Sequence, residues 1–149
     1  MNNKLFIIIV LVLSLSIIGV LGYKQFSGMP KVSNSESKQL LIEYKKNLED
    51  LYAELNTEYS RLAAEKDPEK WEDFSAQWMP KLLNVRPEVM GSKFPNGYEE
   101  IKIELMTAQS DFMPLWAEYN KDFSEQESDG QKIEELKNRI ENILNSVEI

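Results

Sequence analysis

Histidine and cysteine are both missing from this 149-residue chain. Their absence excludes disulfides, thiolate and imidazole metal sites, cysteine nucleophiles, serine–histidine pairs, c-type haem attachment and histidine pH switching. Acidic residues are missing from the first 35 positions, where the only charged side chains are Lys4, Lys24 and Lys31. From Glu36 onward 14 bases face all 25 acids, a net charge of −11. A body this acidic repels phosphate, and no basic stripe offsets the repulsion, so nucleic acid is not an expected partner. Chemistry based on Asp, Glu, Lys, Tyr or Ser stays open.

The first feature present is an apolar run, Leu5 to Gly22 (LFIIIVLVLSLSIIGVLG), eighteen residues without a charge. As a helix it would span roughly 27 Å, close to the thickness of a bilayer core. Ser14 and Ser16 can bond back to their own helix carbonyls. The run is apolar on every face, which argues against a buried core helix. It reads as a single-pass signal-anchor over residues 1–22. A cleaved signal peptide is the competitor: Lys4 supplies the basic start, and Val20-Leu21-Gly22 stands where a cut before Tyr23 would leave a secreted product. Against cleavage, the run exceeds the ~7–15 apolar residues of a signal peptide and no A-x-A follows it. Lys4 and the terminal amine favour a cytoplasmic N-terminus, although Lys24 and Lys31 reduce the asymmetry. The acidic body is therefore expected outside the cytoplasm, in the cell envelope. Residues 23–34 (YKQFSGMPKVSN) carry Gly28, Pro30 and no sustained periodicity, and read as a flexible tether.

The remainder, 35–149, is patterned for helices throughout. A first helix is expected from about Ser35 to Glu65, with Ser33 and Glu36 as a capping box. Within it Leu41, Leu48, Leu55 and Leu62 recur every seven residues, and Tyr44 and Leu51 supply the alternate seam positions. Asp67-Pro68 then opens a second helix as N-cap and first-turn proline. Its stripe is Trp71, Phe74, Trp78 and Leu82, with Pro80 inside, and it ends near Asn84 before Arg86-Pro87. A third helix is expected from Asn96-Gly97, with Asn96 and Glu99 as a reciprocal cap. It carries a stripe of Tyr98, Ile101, Leu105, Ala108, Phe112, Trp116, Tyr119 and Phe123 that persists through Pro114. A fourth opens at Ser128, with Gln131 in the capping-box position, Ile133, Leu136, Ile140, Ile143 and Val147 on its inner face, and a Glu135–Arg139 pair outside. The expected fold is all-α: the membrane helix followed by a four-helix antiparallel bundle with proline-kinked helices.

Two places stand out as sites. Trp78-Met79-Pro80 and Phe112-Met113-Pro114 each put an aromatic two positions before a helix-interior proline. Opposed kinks there would open an apolar ligand pocket lined by Trp78, Met79, Phe112, Met113 and Trp116; the plainer alternative is a wide aromatic core with methionine filling gaps. The connection Val85 to Pro95 (VRPEVMGSKFP) sets Arg86, Lys93 and Phe94 in an otherwise acidic body, and an exposed Phe94 beside Lys93 would suit a protein partner. The alternative has Val89, Met90 and Phe94 closing the end of the core. Ser124 to Gly130 superficially resembles a calcium loop, but Leu136 stands where the bidentate Glu belongs and Lys132 where an apolar residue belongs. Adjacent acids such as Glu99-Glu100 do not face one another on a helix. No catalytic residue, metal ligand or cofactor site is assigned. The Leu41/Leu48/Leu55/Leu62 seam is able to zip two copies together, or to pack within its own bundle. These readings lead to a non-enzymatic, membrane-anchored protein-interaction module. A small-ligand or sensory bundle using the aromatic pocket is the alternative.

Overall fold

The computed structural model describes residues 31–149 apart from Glu125. The expected membrane segment, Leu5–Gly22, lies outside the described residues, as does the tether up to residue 30. Among the described residues no helix is long and apolar enough to cross a membrane. They form four long helices and one single turn, with no β-strand: α1 Asn34–Glu65, α2 Pro68–Leu83, the turn α3 Pro87–Met90, α4 Tyr98–Lys121 and α5 Gly130–Ser146.

The helix starts follow local chemistry. The Ser33 side chain accepts from the Glu36 amide (3.3 Å) and Asp67 from the Lys70 amide (3.0 Å), each satisfying an N-terminal donor the helix cannot. Lys66 ends α1 in the left-handed region, with its amide returning to the Leu62 carbonyl. Two expected caps fall elsewhere. α4 begins after Gly97 (φ 89°) with no side-chain cap: the Glu99 amide that Asn96 would cap donates to the Pro95 carbonyl (3.1 Å), and the Glu99 carboxylate accepts from the Phe94 amide (2.9 Å). α5 is capped by Asp129, one residue after Ser128, through the Lys132 amide at 3.1 Å. A carboxylate there accepts from the backbone and complements the helix dipole.

Consecutive long helices run antiparallel. Between α2 and α4 the register is regular: Trp71 donates to Asn120, the Trp116 indole to Ser75, and Gln109 to the Leu82 carbonyl, while the Trp78 and Phe112 rings lie 6.3 Å apart. α1 and α4 run parallel and in direct contact, as Tyr44 bonding to Gln109 and Tyr119 bonding to Asn56 require. The bundle is thus up-down-up-down and flattened, with α2 and α5 flanking the parallel pair. α2 and α4 continue unbroken through Pro80 and Pro114.

Leu41, Leu48, Leu55 and Leu62 are all fully buried in this core. Burying a leucine contributes roughly 1.5–3 kcal/mol. The leucine seam is therefore packed within one chain, the second of the two uses that the heptad allows. The opposite end from the start of α1 is closed by aromatics. Tyr59 stacks on Tyr119 with ring centres 3.6 Å apart, and Trp71 stacks on Phe123 at 4.6 Å. Burial holds the Tyr59 and Tyr119 phenols well above their ordinary range.

Candidate functional site

The proposed aromatic pocket is filled. Trp78 and Phe112 are completely buried, and Met79, Met113 and Trp116 pack half-buried against the same core. The Trp78 and Phe112 rings meet across α2 and α4, and both indoles, of Trp78 and Trp116, are satisfied by protein. Trp78 donates to the Leu51 carbonyl (3.1 Å) and Trp116 to Ser75 (3.0 Å). The physical reason is volume: the aromatic rings occupy the space that the prolines were expected to open.

The connection from Val85 to Pro95 is also tighter than a free loop. Val85, Val89 and Phe94 are buried and close the end of the core, so the expectation of an exposed Phe94 is corrected. The buried Lys102 of α4 fixes it: its ammonium donates to the Ser92 carbonyl (2.9 Å) and Glu99 (3.2 Å), and lies 5.3 Å from the Phe94 ring centre. Lys93 stays exposed. Its carbonyl accepts from the Val32 amide at 3.3 Å, and Lys31 and Lys93 form a parallel bridge. The described end of the tether is therefore docked on this connection, because Val32 is half-buried against the core and its backbone finds a partner there.

Arg86 is the centre of the corner. It adopts the left-handed region (φ 48°) directly before Pro87, a combination that crowds any side chain. Its guanidinium donates to Glu88 at 2.9 Å and to Glu43 of α1, which ties the α2–α3 turn to the first helix. Its Nε is buried without a partner. Bonds to the Glu88 carboxyl from its own backbone amide and from Arg86 pull that group below the usual carboxylate range. Beside this corner an open groove of about 530 Å³ runs between α1 and the end of α2.

No protein-family model matches the chain, and no match to a curated protein or a solved structure was found. The site must be read from its own chemistry.

The large exposed hydrophobics among the described residues are Ile42, Leu83, Met90 and Ile103. All four lie at the end of the bundle where α1 begins, α2 ends and α4 begins. Leu83 is 60 % exposed and Ile103 56 %. Sequence reading located the connection and Arg86, but not Glu43, Asp50, Lys102 or Ile103. The Asn96-to-Glu99 spacing did mark Glu99 as a cap; the chain supplied a different donor.

Proposed function

We propose that the chain is a membrane-anchored, extracytoplasmic helical bundle that acts by binding another protein through the end at which its tether enters. The observation that carries this reading is that the exposed Ile42, Leu83, Met90 and Ile103 all fall toward that end of their elements, where Lys31 and Val32 dock on the Val85–Pro95 connection. Isolated surface hydrophobics are ordinary, but four on one end of an acidic bundle are the composition of a contact surface.

The anchor at Leu5–Gly22 remains part of the proposal. Eight residues lie between Gly22 and Lys31, so an anchored bundle keeps this end within about 30 Å of the bilayer. The partner then lies in or at the same membrane. Several carboxylates are committed to structure: Glu99 to the Phe94 amide, Glu43 and Glu88 to Arg86, and Glu118 to two lysines. That commitment favours binding over catalysis.

The test is site-specific photocrosslinking of the full chain in native membranes. A crosslinker at Met90 or Lys93 is expected to give one reproducible protein adduct that a crosslinker at Glu127, in the α4–α5 connection, does not. The same adducts from both ends, or none from Met90 and Lys93, would remove the proposal.

A further inference from the structure

The groove beside Arg86 has an apolar floor and a charged rim. Leu51 of α1 and Val85 form the floor, and both are buried. On the rim, Lys81 is neutralised by Glu54 (2.6 Å) and Arg86 by Glu43 and Glu88. Asp50 also lines the groove, exposed, and has no ion-pair partner among the described residues. Asn47 and Asn84 add side-chain carbonyls. The rim therefore presents spare acceptors and one uncompensated negative charge, while its two cations are already bound.

The geometry is held in place. Arg86 keeps a left-handed backbone before proline, a strained conformation that persists only where surrounding contacts enforce it. Here those contacts are Glu88 within the turn and Glu43, which binds the turn to α1 and fixes one wall of the groove. The groove is open along its length, and Leu83 stands exposed one residue before Asn84 of the rim.

We infer that this groove binds an extended peptide segment of the partner, seating an arginine or lysine against Asp50 with an apolar neighbour toward Leu83. Charge complementarity selects this occupant. The body's net charge of −11 attracts a basic segment at long range, and Asp50 completes the pairing at contact. Anionic ligands meet the opposite field. Arginine is the tighter of the two cations, because its planar guanidinium meets a carboxylate with two parallel bonds. The assignment rests on the proposed interaction role and names the chemistry of its partner.

The experiment uses the full chain in phosphatidylcholine nanodiscs, whose neutral surface does not itself collect basic peptides. Fluorescence anisotropy follows a labelled Gly/Ser peptide with a central Leu-Arg, and the same peptide with Glu in place of Arg. The Arg peptide is expected to bind saturably and to weaken in high salt. The Glu peptide and the Asp50→Asn variant should each lose about tenfold in affinity. Asp50→Lys should reverse the preference between peptides. Asp50 is exposed on a helix whose buried face lies elsewhere, so these variants keep the fold. Absence of saturable binding, or equal binding before and after Asp50→Asn, overturns the inference. Should crosslinks from Met90 and Lys93 identify a partner that Asp50→Asn does not release, the groove assignment falls while the docking end stands.

Discussion

Arg139 of α5 reaches across to the buried Asp111 of α4, and seven residues along each helix Lys132 reaches in the same way to the buried Glu118. The two pairs set the antiparallel register of the α4–α5 hairpin, with Leu115, Leu136 and Ile140 packed in the core beside them. They differ in how completely they are satisfied. Glu118 accepts from Lys121 and Lys132 (2.7 Å each) and from the Asp129 amide (3.2 Å). Asp111 has Arg139 on one oxygen, and its Oδ2 is buried without a partner.

That asymmetry makes opposite predictions for two substitutions. Arg139→Ala leaves the buried Asp111 charge alone and should destabilise the chain by roughly 2–4 kcal/mol. Asp111→Leu combined with Arg139→Met removes the pair and the orphaned oxygen together, and should be neutral or stabilising. Urea denaturation of the parent chain and the two variants measures this. A double variant as unstable as Arg139→Ala would show that the pair itself, not the abandoned charge, matters.

Glu118 makes the pH prediction. Burial raises its pKa, but the bonds from Lys121, Lys132 and the Asp129 amide outweigh burial and lower it to about 2. The folded chain therefore holds this carboxylate ionised while the unfolded chain would take up a proton below the ordinary glutamate range. Its stabilisation is fully present above about pH 5 and is lost as pH falls toward 2, amounting to about 3 kcal/mol. Unfolding free energies measured from pH 6 to 2 should fall less steeply in Glu118→Gln than in the parent. Identical slopes would refute the assignment.

At the α2–α4 interface, Trp78→Ala and Phe112→Ala each remove a fully buried ring and should cost about 3–5 kcal/mol. The more exposed Met79→Leu and Met113→Leu keep the volume and should cost under about 1.5 kcal/mol. Equal, small effects at all four positions would restore the open pocket in place of the packed core.

For the corner, Arg86→Ala keeps the crowded backbone and loses both ion pairs. A double-mutant cycle with Glu43→Gln should give a coupling of roughly 0.5–1 kcal/mol, modest because both side chains are partly exposed. A coupling near zero would mean that α1 does not hold the turn in place.

The amino-acid sequence alone determined the helices of this bundle. Heptad leucines, the Asp67-Pro68 start, aromatics three and four apart, and a full set of helical stripes are local signals, since helix periodicity acts over a few turns within one segment. The sequence also marked most of each buried face, although Leu115 and Leu144 fill the core where the stripes named Trp116 and Ile143, which are half-buried. What it left open was decided by the tertiary structure: whether the aromatic layer between α2 and α4 closes or gapes, whether Phe94 points in or out, and whether Arg139 pairs with Glu135 on its own helix or Asp111 on the next. Each depends on which groups arrive opposite from distant parts of the chain. A buried carboxylate or an unfilled volume is costly only in three dimensions, so the sequence names the participants and packing selects their partners.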